Sequence, residues 1–349
     1  MRLLGFLLLF IPLHRLSAQV GGIGVYDFLN LPNSAAVAAL GGHHIALQNE
    51  DLSLAARNPS LLNPEMDGQV SLSHAFLPAG IHNSYLAYAH DYAPLRTTFH
   101  AGLQYVGYGN DLVRRDGSGQ DLGTFGASDF ALTVGAGHRI EERLTVGANL
   151  KLVASQLAGY NSFGVALDGG VHYVDTTGRF GISLVARNFG RQLTRYDSGQ
   201  EREAMPFELQ VGINRELKYL PFRFSVIYRY LDRWNILYDD PDAENLTILD
   251  LSNLDGPDER GAGELFFDNL ARHFVFNGEL LIGKQRRLAL RVGYNHGMRR
   301  ELRLTDFRSA AGYSFGFSWR TRRFSLAYGR TTYHLAGGVN LLTVSRGFR

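Results

Sequence analysis

The strongest constraint on this chain is a period-two rhythm that recurs along most of its length. Leu144, Val146, Ala148, Leu150 and Leu152 alternate with Thr145, Gly147, Asn149 and Lys151. Phe130, Leu132, Val134 and Ala136 alternate with Thr133 and Gly135. Tyr313, Phe315, Phe317 and Trp319 alternate with Ser314, Gly316 and Ser318. Successive side chains of a strand point to opposite faces, so strict alternation specifies strands with one apolar face. About fourteen such segments can be matched. They start near Gln69, Asn83, Leu95, Ala127, Arg143, Ser162, Arg179, Pro206, Pro221, Leu270, Arg286, Ala310, Arg322 and Gly337. Each runs about 9–12 residues, longer than the ~5–6 of soluble strands and close to the ~9–11 of a tilted membrane-crossing strand.

The connections alternate too. Asp91–Pro94, Ile140–Glu142, Asp175–Gly178, Leu217–Leu220 and Gly283–Gln285 are tight, whereas 107–126, 190–205, 233–269 and 298–309 are long. Short turns at one end and long loops at the other mark an outer-membrane barrel. An even strand count puts both chain ends on the periplasmic side and the long loops outside. The expected fold is therefore all-β: a transmembrane antiparallel barrel of about fourteen strands. Aromatic residues at the ends of the apolar rows, among them Phe130, Phe163, Tyr173, Phe180, Tyr230, Tyr294, Trp319 and Tyr328, suit girdles at the two interfaces. A soluble β-sandwich would explain the alternation but not the strand length combined with asymmetric loops.

Residues 1–18 read as an export signal: Arg2, the apolar run Leu3 to Leu13, then Ser17 and Ala18 before the expected cleavage. No later run approaches the ~20 apolar residues of a spanning helix. The absence of cysteine excludes disulfides, thiol catalysis, cysteine-ligated metals and a lipidated cysteine anchor. Lys+Arg 35 against Asp+Glu 33 gives no reason to expect a nucleic-acid partner. The 40 glycines read partly as turns and partly as inward strand positions, such as Gly135, Gly147, Gly212, Gly293 and Gly316, where a small residue leaves room inside.

Residues 19–68 lack long alternation. Ser34 can cap a short helix through Ala35 to Leu40, closed by Gly41-Gly42, and a second short helix can run from Leu52 to Arg57 before Pro59. This segment is expected to fold into the lumen as a hatch, ahead of a barrel over 69–349. The bland alternative is a periplasmic extension. Fourteen strands leave an interior that needs filling, which favours the hatch.

The whole mature chain resembles the FadL-like outer-membrane family, fourteen-stranded barrels with an N-terminal hatch. The family's Asn-Pro-Ala hatch motif stands here as Asn58, Pro59 and Ser60, with Ser in place of Ala. Val25-Tyr26-Asp27-Phe28-Leu29-Asn30-Leu31-Pro32, Ala39-Leu40-Gly41-Gly42 and Asn58-Pro59-Ser60-Leu61-Leu62-Asn63-Pro64 further resemble the PorV/PorQ group of the type IX secretion system of Bacteroidota. The opening and end of the hatch favour the PorQ side of that group. The resemblance implies a non-enzymatic outer-membrane role. It implies an anchor for the surface protein PorZ, in a complex with PorU and PorV that attaches secreted clients to lipopolysaccharide.

No catalytic or cofactor motif stands out. His43-His44 lacks the spacing of a helical zinc site, and neither a Gly-x-Ser-x-Gly elbow nor a phosphate-binding loop occurs. Asp129, Lys151, Asp168, Glu208, Arg223, Arg229, Glu279 and Arg291 fall on inward positions. They are expected to pair with one another and with the hatch in a wet lumen rather than to form a relay. The partner-docking candidate is the long acidic loop from Arg233 to Asn269, with Trp234, Tyr238, Asp239, Asp240, Asp255, Asp258 and Glu259. Loops of that length are usually functional or disordered. The loop from Tyr108 to Phe125, with Arg114-Arg115, is second. The rival function is a diffusion channel for hydrophobic compounds, which requires an apolar pocket beside the hatch and an opening in the wall.

Overall fold

The computed structural model describes residues 25–47, 49–197, 199, 201–237, 262–302, 310–334 and 337–348. The strands are β1 (Gln69–Phe76), β2 (His82–Tyr92), β3 (Thr97–Gly107), β4 (Leu112–Arg115), β5 (Asp121–Phe125), β6 (Ala127–Glu141), β7 (Leu144–Leu157) and β8 (Tyr160–Val174). They continue with β9 (Phe180–Thr194), β10 (Glu208–Glu216), β11 (Phe222–Tyr228), β12 (Phe274–Ile282), β13 (Leu288–Asn295), β14 (Tyr313–Arg320), β15 (Phe324–His334) and β16 (Gly337–Gly347). Fourteen of them close into one antiparallel barrel, with β1 paired to both β2 and β16. Closure leaves no open edge, as a wall in hydrocarbon requires.

The strand β4–β5 hairpin stands outside the barrel, in the loop between β3 and β6. Among the wall strands, lengths run from 7 residues in β11 to 15 in β6, β8 and β9, so the wall is taller on one side than the sequence rhythm implies. At one rim the turns are short, as at 142–143 and 175–179. At the other lie the long connections 108–126, 195–207, 229–273 and 296–312.

Faces sort as the alternation requires. Leu72, Leu103, Leu132, Leu152, Leu184, Val292 and Phe315 are exposed on the outside, where lipid covers them. Aromatic residues gather at both rims: Tyr105 beside Phe130 at the long-loop end, Trp319 and Tyr173 at the short-turn end. The closed barrel and its apolar outer band make this an outer-membrane protein. Strand β16 alternates poorly in sequence because Val339 and Leu341 face inward. There they pack with Ala35 and Ala38 of the hatch, while Leu342 and Val344 face lipid.

Three α-helices stand among the described residues, the first where a helix is expected and the other two in place of expected loop or strand. Helix α1 (Ala35–Ala39) lies in the hatch, its Ser34 cap accepting the Val37 N–H. Helix α2 (Ala262–Arg272) occupies the end of the longest loop, so β12 starts at Phe274 rather than near Leu270. Helix α3 (His296–Glu301) follows β13, capped by Asn295. Tyr230 has left-handed backbone (φ 55°) beyond the end of β11 and is not a girdle residue; Arg229 and Arg233 stack on its ring.

Candidate functional site

The hatch fills the lumen and meets the wall through backbone-to-backbone contact at glycine. A Cβ on Gly147 would fall on the Pro59–Ser60 peptide, and one on Gly137 would lie 2.7 Å from Leu62 Cβ. One on Gly212 would lie 2.8 Å from Ile45 Cγ1, and one on Gly316 2.6 Å from Ala39 Cβ. Gly293 faces the Leu40–Gly41 peptide in the same way. Gly135 differs: its inward neighbours are the wall side chains Asn149 and His100 rather than the hatch. Side chains lock the seat. Ser314 Oγ accepts the Gly41 N–H at 2.8 Å, Thr343 Oγ1 accepts the Ala35 N–H at 2.9 Å, and Asn83 donates to the Pro32 carbonyl at 3.1 Å.

Asn58, Pro59 and Ser60 open a 3-10 turn of the hatch. Asn58 Oδ1 accepts both the Ser60 N–H at 3.0 Å and the Ser60 hydroxyl at 2.6 Å, while its Nδ2 donates to the Ile45 carbonyl at 2.7 Å. The motif thus ties two hatch segments together. Pro59 occupies the first position of a 3-10 turn, where its missing N–H costs nothing.

Seven of the eight inward charges form three groups in the lumen. Lys151 Nζ reaches Asp168 at 2.7 Å and Asn188 Oδ1 at 2.8 Å. Arg229 reaches Glu208 at 2.6 Å. Arg291 and Arg223 share Glu279 at 2.7 and 3.3 Å, and Arg223 also holds Glu216 at 2.9 Å. Asp129 meets no cation among the described residues. It accepts from the Tyr108 hydroxyl at 2.7 Å and from Ser155. Such pairs add little net stability, but removing one partner strands a buried charge.

Two participants lie outside that set. Arg57 of the hatch donates to the Asn30 and Leu31 carbonyls at 2.8 and 2.7 Å. Arg187 donates to the Leu29 carbonyl at 3.2 Å and approaches Glu208 at 3.9 Å. A bulge in β9 makes this layer: the register against β8 slips near Leu167/Gly169, and Asn188 takes left-handed backbone (φ 56°). Arg187 and Asn188 then both face inward, which regular alternation forbids. The only sequence sign is the consecutive polar pair Arg187-Asn188 inside an otherwise alternating strand.

Above this layer hatch and wall meet in an apolar cluster. Val25, Tyr26, Phe28 and Leu29 pack against Val106, Ala131, Val153 and Ala166. The Tyr26 hydroxyl bonds Ser162 at 2.6 Å. His43 and His44 are buried. Burial holds His43 well below the ordinary imidazole range, with Arg229, Arg57 and Arg187 adding to the effect. Burial pushes His44 down to about 4. Both rings are neutral plug residues at neutral pH.

At the outer end, Trp234 is exposed and held to α2: Asn269 donates to its carbonyl at 2.6 Å, and its ring lies 5.2 Å from Phe266 and 5.6 Å from His273. Asp268 of α2 pairs with Arg272 of the same helix at 3.1 Å and joins α3 through Arg300 at 2.8 Å. Burial opposes ionisation there, but those guanidinium groups hold the carboxyl below its usual range. Tyr238, Asp239, Asp240, Asp255, Asp258 and Glu259 lie outside the described residues. Arg114 and Arg115 sit on β4, exposed in the outer hairpin.

No protein-family model and no curated protein matches the chain. Solved barrels do. A deltaS2 mutant of the monoaromatic hydrocarbon channel TodX superposes with a TM-score of 0.53 at 13% identity, covering 92% of this chain and 100% of that one. The P. putida toluene transporter TodX gives 0.51 at 12% identity, covering 92% and 100%. A deltaS2S3 mutant of TodX gives 0.51 at 13%, covering 90% and 99%. At such identities the likeness speaks for the fold. The fold expected from the FadL-like resemblance, a fourteen-stranded barrel with an N-terminal hatch, is the fold found.

Proposed function

We propose that the chain is a non-catalytic, PorQ-type outer-membrane anchor of the type IX secretion system. Its long outer loops hold PorZ and, through it, PorU and PorV, in the complex that attaches secreted clients to lipopolysaccharide. The observation that carries this reading is the apolar cluster by which the hatch packs on the wall in the outer half of the lumen. Val25 to Leu29 occupy the apolar space beneath the outer loops, where a conduit for a hydrophobic compound would need room. The chain is then a plugged barrel whose long loops face outside. The exposed Trp234, braced by α2, is an anchor of the type enriched in protein interfaces.

The second reading is a channel for hydrophobic compounds. It is favoured by the likeness to structures described as a hydrocarbon channel and a toluene transporter, and by the β9 bulge, an irregularity in the wall. In this chain the bulge is sealed: the Asn188 N–H donates to Asp168 at 2.8 Å and Lys151 bonds both residues.

Affinity purification from detergent-solubilised outer membranes separates the two. The anchor reading expects a stoichiometric surface protein, lost when residues 239–264 are deleted from a barrel that still folds. Recovery of a bound hydrocarbon or fatty acid with no surface protein overturns it.

A further inference from the structure

A cavity of about 550 Å³ among the described residues opens toward the periplasm rather than the outer loops. Its walls are the short-turn ends of β3 and β6 to β11, and its floor is the hatch around Leu47 and Leu62. Arg96, Arg139 and Arg179 line it, and none of the three makes a side-chain ion pair among the described residues. Arg223 also reaches it but is engaged by Glu216 and Glu279. Glu65 and Glu142 lie on the exposed rim.

A second observation is independent of these charges. His172 lines the cavity and is 2% exposed. Its Nδ1 bonds the Ser183 hydroxyl at 2.8 Å, while its Nε2 has no partner. A buried polar atom without a hydrogen bond destabilises the fold, so such atoms are usually matched by a ligand or water. Asn49 and Asn214 supply further amides on the same walls, whereas the Asn63 amide is engaged within the hatch by the Asn49 and Leu61 carbonyls and the Glu65 N–H.

We propose that this vestibule is a binding site for an extended periplasmic peptide segment ending in, or carrying, a free carboxylate. The carboxylate sits among Arg96, Arg139 and Arg179, where guanidinium forks match it. The Asn49 and Asn214 amides and His172 take peptide N–H and C=O groups, and Leu47 and Leu62 receive an apolar side chain. The cavity lies within the roughly 300–1,000 Å³ usual for ligand sites. The rim carboxylates Glu65 and Glu142 disfavour a dense polyanion such as phosphate and leave a peptide as the better match. The site opens away from the outer loops, so it stands or falls independently of the surface-anchor reading.

The test uses the full mature chain in detergent micelles, with a fluorescein-labelled alanine pentapeptide as probe, either as the free acid or as its C-terminal amide. Fluorescence anisotropy is expected to show the acid binding at least tenfold more tightly than the amide. Arg139→Gln and Arg179→Gln should each cut acid binding several-fold without changing the heat-shifted gel mobility that reports a folded barrel. His172→Phe should weaken acid and amide alike. Equal binding of the two peptides, or binding of neither, overturns the proposal. Displacement by inorganic phosphate at the same concentration as the peptide overturns the peptide assignment.

Discussion

Within β7 and β8, two layers a few residues apart hold the hatch by opposite means. Nearer the periplasm, Gly147 and Gly170 have no side chain, and the Asn58–Ser60 turn lies directly on the strand backbones. One step outward, Lys151 and Asp168 fill the same kind of inward position with a buried ion pair, joined by Asn149 and Asn188. The glycine layer works by shape and tolerates no added volume. The ionic layer works by charge balance and tolerates no single deletion. The strands therefore alternate correctly for the membrane in both layers, while the inward face is tuned residue by residue to the hatch.

The ionic layer should respond most. Lys151→Ala leaves Asp168 buried without its cation, a change that costs about 3–5 kcal/mol in comparable pairs. Trypsin gives a direct readout, because Arg57 is 2% exposed in the seated hatch and becomes cleavable only when the hatch leaves. The urea concentration giving half cleavage after Arg57 should fall sharply in Lys151→Ala and recover largely in the double variant Lys151→Met/Asp168→Leu, which removes both charges. If the double variant is no better than the single one, the pair is an attractive contact in its own right and the contrast between the layers weakens.

The glycine layer should respond next. Gly147→Val drives a side chain into the Pro59–Ser60 backbone, and overpacking of this kind costs about 1–3 kcal/mol. Gly169 is the matched control. It sits one residue from Gly170 on β8, faces outward, and has open space around it. Gly147→Val should expose Arg57 to trypsin at lower urea than the parent, while Gly169→Val should match the parent. Equal behaviour of the two variants would mean that the hatch yields easily and that shape is not what holds it.

These layers were unequally legible. Period-two rhythm is enforced by lipid on every strand, so the starts near Gln69, Ala127 and Gly337 coincide with β1, β6 and β16. The inward glycines Gly147, Gly212, Gly293 and Gly316 show in sequence as gaps in the polar row. Arg57 did not stand out, because the hatch has no periodicity to mark which side chains face the wall. Asn188 did not either, because the bulge gives it the wrong parity. Helix α2 was hidden inside an acidic loop, where its amphipathic pattern is only eleven residues long.

The smallest effect belongs to the one departure of the hatch motif from the family pattern. Ser60→Ala restores the alanine of the FadL-like motif and removes one hydrogen bond, from the Ser60 hydroxyl to Asn58 Oδ1 at 2.6 Å. The acceptor is not orphaned, since Asn58 Oδ1 keeps the Ser60 N–H at 3.0 Å. No new volume enters, and the small space left lies against Gly170. A neutral hydrogen bond lost without an unpaired partner is worth about 0.5–1.5 kcal/mol. The urea midpoint for Arg57 cleavage should therefore shift only slightly. Asn58→Ala makes the contrast, because it strips the Ile45 carbonyl and the Ser60 N–H of their partners together. A loss for Ser60→Ala as large as that for Lys151→Ala would show that the hydroxyl, and not the backbone seat on glycine, is what fixes this turn to the wall.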